Sequence, residues 1–338
     1  MGRGNHTIND IAYRAGVSQA TVSRVLTGNA KVSAEKRAAV MAAIEAFNYK
    51  PNVNAQGLAR GRTRAIGVLT MSTESPYWGR LVRGVEQSLV GTGFRPLVAS
   101  ALGSGKPEEA LDMLLESQIE GLILLGGPMP EKTTTLVGED FPVVGTGTVT
   151  PGLEPYYIQS ENVEGGRLAT QHLLDLGHRR IALISGPADH IHARARLQGY
   201  KTALAAAGVE FDESLIVHHG FNEQKGFEAA TTLLSRTRDF TAIFATSDQI
   251  AYGVGLRLWK EGMRVPQDIS LIGFDDQDYA RFTTPPLSTI RVPLLELGEA
   301  LGKMIVSRVE DGVQPWTPGV FATSLVVRES TARRGQRG

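Results

Sequence analysis

The sequence predicts an α/β protein in which a three-helix helix–turn–helix headpiece precedes two doubly wound parallel-sheet lobes. Three observations predict it. From residue 65 onward apolar runs alternate with amphipathic helical stretches, the pattern of parallel strands covered on both faces, and the alternation starts afresh after residue 160. The first 64 residues instead carry three short helical patterns with capping residues. Charge divides the same way: a net charge of +0 hides ten basic against three acidic side chains through Arg64, so that +7 there is balanced by −7 in the remainder. A small basic module on an acidic body points to a polyanionic partner for the first part alone.

At 338 residues, 42% hydrophobic and 21% charged, the chain has the makeup of a folded protein of more than one domain, not of a disordered or membrane protein. The absence of cysteine excludes disulfides, thiolate metal sites and cysteine nucleophiles. No apolar run approaches the ~20 residues of a membrane span, and the first residues lack the pattern of an export signal, so a cytoplasmic location is expected.

Within the headpiece, Thr7 caps a first helix along which Ile8, Ile11, Ala12 and Ala15 keep helical spacing, and Gly16 stops it. Ser18 caps the second, with Val22, Val25 and Leu26 inward and Gln19, Ala20, Ser23 and Arg24 outward; Gly28 and Asn29 end it. Ser33 opens a third helix whose buried stripe is Val40, Met41, Ile44 and Phe47. Residues 51–64, with Asn52, Asn54, Gly57 and Gly61 around Val53 and Leu58, read as a marginally helical linker.

In the body, strands are expected at 65–70, 96–99, 121–125 and 143–145, with helices at 76–91 and 106–117 between them. The second lobe then reads as helix 161–175, strand 180–185, helix 194–207, strand 215–218, helix 223–235, strand 242–245, helix 247–261 and strand 270–274. A helix over 293–310 returns the chain to the first lobe, and segments around 321–327 complete the sheets. Trp259 lies on a long apolar stripe and is expected in the core. Ligands of such sheets sit at the carboxyl ends of the strands, which directs attention to the loops at 71–78, 186–196, 220–223, 246–248 and 274–278.

The most specific motif is Thr7-Ile8-Asn9-Asp10-Ile11-Ala12, Ala15-Gly16-Val17-Ser18 and Thr21-Val22-Ser23-Arg24-Val25-Leu26. Its glycine turn sets two helices at an angle, so that the amino end of the second enters a major groove with Gln19, Ala20 and Arg24 toward base edges. An arginine there can bind guanine bidentately, worth about 1–3 kcal/mol of discrimination, while Ser18, Thr21 and Ser23 suit phosphate. The motif is accompanied by Tyr49-Lys50-Pro51-Asn52, Ser75-Pro76-Tyr77-Trp78, Leu176-Gly177-His178-Arg179-Arg180-Ile181 and, after Arg196, Gly199-Tyr200. Val265-Pro266, Ile272-Gly273-Phe274-Asp275 and Leu287-Ser288-Thr289-Ile290 follow. Nearly end to end, the chain resembles the lactose-repressor (LacI/GalR) family of bacterial transcription regulators.

That resemblance implies lobes of periplasmic-binding-protein type and a homodimer on a pseudo-palindromic double-stranded operator. Operator affinity would change when a small molecule, usually a sugar and sometimes a purine, fills the cleft. No cofactor, metal ion or membrane partner is expected. The implied boundaries are a DNA-binding domain at 1–50, a hinge at 51–63 and an effector-binding and dimerisation domain at 64–338. Its N-lobe would span about 64–160 and 293–320, its C-lobe about 161–292 and 321–338.

The same resemblance sets Thr7, Ser18, Gln19, Ala20, Thr21, Ser23, Arg24, Asn29, Val32 and Tyr49 on DNA. It adds Asn52, Asn54, Ala55, Leu58 and Ala59 of a hinge that is expected to fold only on the operator, Leu58 being wedged into the minor groove. The family usually has Ala-Arg-x-Leu where this chain has Ala55-Gln56-Gly57-Leu58; the arginine is missing, and glycine lowers helix stability by about 1 kcal/mol relative to alanine. In the cleft the implied effector residues are Ser75, Tyr77, Trp78, His192, Arg196, Phe221, Ser247 and Asp275. Guanidinium and carboxylate suit neighbouring sugar hydroxyls, and aromatic faces suit the apolar face of a pyranose. Ser75-Pro76, Glu161 and Ser247-Asp248 replace the family's usual Asn-Pro, aspartate and Asn-Asp, which alters hydrogen-bond reach inside the pocket.

Enzymatic patterns are incomplete. Gly103-Ser104-Gly105-Lys106 has Ser100 and Pro107 where a phosphate loop needs glycine and a hydroxyl. Gly145-Thr146-Gly147 has Thr150 in place of the third glycine of a dinucleotide fingerprint, and His190 and His192 lack metal-site spacing. The expectation is therefore an effector-controlled repressor without catalysis. A purine- or other metabolite-responsive regulator or an activator of the same architecture is the alternative, and a sugar-binding transport protein the alternative from another class.

Overall fold

The computed structural model describes residues 6–26, 31–49, 62–101, 106–127, 130–138, 141–149, 154–312 and 319–335. Asn29 and the expected hinge residues Asn52, Asn54, Ala55, Leu58 and Ala59 lie outside the described residues. The chain divides into two compact units, Met1–Arg64 and Ala65–Gly338.

The first unit holds α1 (Ile8–Ala15), α2 (Gln19–Leu26) and α3 (Ala34–Ala46). Thr7 and Asp10 form a reciprocal capping box: the Thr7 side chain accepts from the Asp10 amide at 3.4 Å, and Asp10 Oδ2 accepts from the Thr7 amide at 2.7 Å. Gly16 then turns the chain at φ 64°, a left-handed conformation that glycine adopts without a steric penalty. Ile11, Ala12, Val22, Val25, Val40 and Ala43 make one small core, with Ile44 and Phe47 packed on it. Met41, expected in the buried stripe, is exposed instead. It stands one residue past Val40, and a helix turns by about 100° per residue, which carries Met41 off the line that Val40, Ala43, Ile44 and Phe47 share.

The second unit opens with a parallel sheet in the order β11-β5-β4-β3-β1-β2. Its strands are β1 (Ala65–Thr70), β2 (Arg95–Ser100), β3 (Gly121–Leu125), β4 (Val143–Thr146), β5 (Tyr157–Ser160) and β11 (Val320–Phe321). Helices α4 (Pro76–Leu89), α5 (Pro107–Glu116) and α6 (Lys132–Gly138) connect them. A second parallel sheet runs β7-β6-β8-β9, from β6 (Ile181–Ser185), β7 (Ile216–His218), β8 (Ala242–Ala245) and β9 (Ser270–Ile272). It is covered by α7 (Asn162–Asp175), α8 (Ile191–Ala206), α9 (Glu223–Arg236) and α10 (Asp248–Lys260). The inner strands β1, β3, β6 and β8 are buried along their whole length, as a sheet covered on both faces requires, whereas the edge strand β2 is mostly half-buried. Helix α11 (Leu294–Asp311) packs on α4, β3 and β4 and so returns the chain to the first sheet.

Three elements were too short or too polar to read: α6, β5 and β10 (Thr289–Arg291). The segment 321–327 also departs from expectation. Only β11 extends a main sheet, by pairing with β5; β12 (Ser324–Val326) pairs antiparallel with β10 in a small sheet of its own. The free edge of β9 is already taken, because the Leu271 amide bonds to Ser330 O and the Gly273 amide to Ser288 O. Trp259, expected in the core, is 74% exposed: α10 buries Ile250, Ala251, Val254 and Leu258, and Trp259 falls one residue beyond that line.

Helices α7 and α8 approach so closely that a Cβ on Gly199 would lie 2.0 Å from Val163 O, and one on Gly166 2.3 Å from Arg196 O. This contact fixes the depth at which α8 carries Arg196. Gly199→Ala should therefore destabilise the chain by about 1–3 kcal/mol, as overpacking does. A lower urea midpoint with an unchanged slope checks this; an unchanged midpoint contradicts it.

Candidate functional site

On the headpiece, Ser18, Gln19, Ala20, Ser23 and Arg24 are exposed along one side of α2, whose other side is buried through Val22 and Val25. Ser18 is partly engaged within the helix start: its Oγ accepts from the Thr21 amide at 3.2 Å and pairs with the Thr21 hydroxyl at 3.0 Å. Thr7 is exposed at the start of α1, its side chain held by Asp10. Val32 and Tyr49 are half-buried and pack against the headpiece core.

In the body, the carboxyl ends of five strands converge on one cavity of about 90 Å³. Ser75 comes from the turn after β1, and Tyr77 and Trp78 from the first turn of α4; His190, His192 and Arg196 come from the β6–α8 connection and α8; Phe221 follows β7, Ser247 and Gln249 follow β8, and Asp275 follows β9. All eight expected effector residues are thus gathered around one space. His190 and Gln249 were missed. His190 lies inside the strand-end loop 186–196 without being singled out there, and Gln249 falls one residue beyond the loop 246–248.

Arg196 sits at the floor, 3% exposed. Its Nε donates to Asn162 Oδ1 at 2.9 Å, Nη1 to Thr246 O and Nη2 to Asp275 Oδ1 at 3.3 Å, while its guanidinium carbon lies 3.7 Å from the centroid of Phe274. Asp275 is equally buried and holds φ 108°, followed by Asp276 at φ 52°, two left-handed non-glycine residues in succession. The turn is pinned by Asp248, fully buried, which accepts from Thr289 Oγ1 at 2.6 Å and from the Gln277 amide at 2.7 Å. Asp276 is clamped by Arg328 at 2.6 Å and Arg291 at 2.7 Å. Burial pushes the Asp275 carboxyl up to about 6, with Arg196 pulling the other way, and burial together with Asp275 raises Asp248 well above the usual carboxylate range.

The walls are aromatic. Tyr77 and Trp78 meet edge to face at 4.7 Å, and Phe221 is met by His190 at 4.8 Å. Burial, then Arg196 and His190, push the His192 imidazole down from 6.5 to about 3, so it stays neutral at physiological pH and can both donate and accept. Ser247 caps α10, accepting from the Ile250 amide at 3.1 Å, and donates to Phe221 O at 3.3 Å, which engages its proton and leaves the hydroxyl one acceptor lone pair. Between the lobes, Ser75 Oγ donates to Gln249 Oε1 at 2.9 Å and Arg80 Nη1 to Asp276 O at 2.8 Å. Such a site can hold a small neutral molecule by paired donors and acceptors at one end and flat apolar faces at its sides. Among the described residues no group of histidines and carboxylates could hold a metal ion, and no helix is long and apolar enough to cross a membrane.

Two family models match: bacterial regulatory proteins of the lacI family over residues 7–52, and a periplasmic binding protein-like domain over residues 170–331. The chain is 37% identical over 309 residues to the ribose operon repressor of Escherichia coli (strain K12), covering 90% of this chain and 93% of that one. Among solved structures it is similar to a complex of the transcriptional regulator CelR with cellobiose, at TM-score 0.74 and 32% identity over 96% of this chain and 99% of that one. It is similar also to the lac repressor dimer bound to operator and the anti-inducer ONPF, at TM-score 0.83 and 28% identity over 97% and 99%.

The depressed His192 has a stability consequence. A histidine that stays neutral in the fold contributes stability that is fully present above its unfolded value of 6.5 and is lost as pH falls toward about 3. Between pH 7 and pH 5 the wild-type melting temperature should fall more than that of His192→Gln; parallel curves would show that His192 takes up its proton in the native state.

Proposed function

This chain belongs to the LacI family of bacterial regulatory proteins, and from that premise we propose that it is a transcriptional repressor whose affinity for a pseudo-palindromic operator is set by a sugar held in the cleft. The observation that carries the reading is the convergence of Arg196, Asp275 and the aromatic walls of Tyr77, Trp78 and Phe221 on one small cavity. In this reading the Arg196–Asp275 pair offers a donor and an acceptor side by side to vicinal hydroxyls, and the rings stack on the sugar's apolar face. Gln19, Ala20 and Arg24 read base edges from the exposed side of α2, with Ser18, Thr21 and Ser23 toward phosphate, and the hinge at 51–63 inserts Leu58 between base steps. The protein works without catalysis, in the cytoplasm, where operator DNA is.

Control is a coupling free energy. A sugar that contacts both lobes favours one interlobe angle, and that angle sets whether two hinges lie close enough to grip one minor groove. Paired half-sites require a two-fold axis. The face of α10 that carries Leu256 and Trp259, both exposed beside a cavity of about 600 Å³, is an apolar surface on the second lobe suited to a second copy.

Asp275→Asn keeps the shape of the site and removes its charge. At fixed salt its operator affinity should stay within about twofold of wild type, while the sugar response, about 5–150-fold in systems of this kind, is lost. Fluorescence anisotropy of labelled DNA from upstream of the chain's own gene, with a sugar panel, reads both; a normal sugar response in the variant removes Asp275 from the site. For the dimer, Trp259→Glu should shift the chain toward monomer in light scattering and weaken operator binding by about tenfold or more. An unshifted dimer moves the two-fold elsewhere.

A further inference from the structure

The aromatic wall from the second lobe rests on bare backbone. Gly186 follows β6, the strand between β7 and β8, and a Cβ built on it would lie 2.2 Å from Phe221 Cζ and 2.5 Å from each Cε. The two Cε atoms are nearly as close as Cζ, which puts that Cβ over the face of the ring and not off its tip. Phe221 lines the effector cavity and Gly186 does not, so the ring stands between the glycine and the cavity. Gly186 does not hold a left-handed φ; space, not conformation, excludes a side chain there.

Neither backbone is free to retreat. The Gly186 amide donates to Thr246 Oγ1 at 3.3 Å, and its carbonyl accepts from His218 Nδ1 at 3.1 Å. Phe221 O accepts from Ser247 Oγ, and the next residue, Asn222, caps α9 by accepting from the Lys225 amide at 2.9 Å. Thr246 offers its own carbonyl to Arg196 Nη1, so one residue fixes the shelf under the ring and the guanidinium at the floor relative to each other. What can move is the ring. Carbon atoms reach ordinary contact at about 3.5 Å, so Gly186→Ala lifts the ring by about 1 Å. His190 meets the ring at 4.8 Å and lines the same cavity, so the lifted ring takes its room from a space of only about 90 Å³, directly or by way of His190. At Gly166 and Gly199 a Cβ would meet backbone, and the packing of two helices would have to give; at Gly186 it meets the far end of one side chain.

We propose that Gly186 is a positioning residue of the effector site: by leaving Phe221 a flat backbone to lie on, it recesses the aromatic wall and sets the width of the slot in which a sugar ring stacks. The proposal rests on the sugar reading of the cavity and assigns part of its fit to a residue that does not itself line it. The wall from the first lobe is backed in the same way, since a Cβ on Gly126 would lie 2.8 Å from Trp78 Cη2. Gly126 holds φ 94° and so serves backbone conformation as well, which leaves Gly186 as the position where space acts alone.

Calorimetric titration of the full chain with D-ribose, D-glucose, D-galactose and cellobiose tests this as a double-mutant cycle with Phe221→Leu, which removes the Cε and Cζ atoms that the Cβ would meet. Gly186→Ala alone should weaken binding of the sugars that wild type holds by about tenfold or more. Phe221→Leu also weakens it, through loss of the stacking face. In that background Gly186→Ala should change affinity by less than about twofold, because no ring tip is left to displace. A Gly186→Ala chain that binds as wild type does overturns the proposal. So does a tenfold loss that persists beside Phe221→Leu, which places the effect in the backbone. Should Gly186→Ala fail to fold, the double variant decides: one that melts as Phe221→Leu does locates the conflict at the ring and supports the proposal, and one that also fails overturns it. Binding of no sugar by wild type is a separate failure, that of the sugar reading, and takes the proposal with it.

Discussion

Much of this molecule is arranged around one buried charge. A guanidinium that is 3% exposed is tolerated only when its donors are met, and Arg196 is met from four directions: Asn162 at the start of α7, Thr246 at the end of β8, Phe274 and Asp275 after β9. The four partners lie on three different elements, so the second lobe can assemble only if α7, α8, β8 and the turn after β9 come into register. The close glycine contact between α7 and α8 sets the depth, and the doubly bonded Asp248 sets the turn.

That turn also links the site to the other lobe. Asp275 faces the cavity, and its neighbour Asp276 offers its carbonyl to Arg80 on α4 while its carboxylate is clamped by Arg291 and Arg328. Two left-handed residues in succession are not a relaxed backbone, and they persist because the surroundings over-determine them. A ligand that alters the Arg196–Asp275 contact acts on a segment one peptide away from an interlobe bond. The physical basis for coupling is thus local, and no long chain of contacts is needed to carry it across the cleft.

The sequence was most legible where one physical rule governs many residues. All-apolar runs marked the parallel strands, cap residues marked the starts of α1 to α3, and the strand-end rule marked the loops on which the family resemblance then placed Ser75, Arg196, Phe221 and Asp275. Legibility failed where one residue of helical phase decides the outcome. Met41 and Trp259 each stand beside a truly buried position, Val40 and Leu258, and an apolar side chain there looks the same in sequence whether it faces the core or water. It failed as well for contacts that join distant segments. Nothing in the run Gln249-Ile250-Ala251 announces a partner at Ser75, and β12 was assigned to a main sheet because the capture of the β9 edge by Ser288 and Ser330 is a tertiary event.

Reciprocity binds the two functions proposed for the chain. If a cleft ligand alters operator affinity through a shared equilibrium, the operator must alter ligand affinity by the same factor. The most direct measurement is therefore the affinity of a binding sugar for the full-length chain, alone and saturated with operator DNA at the same salt. The account predicts two different affinities whose ratio equals the sugar's effect on operator binding. Equal affinities with and without DNA would separate the cleft from the headpiece and contradict it.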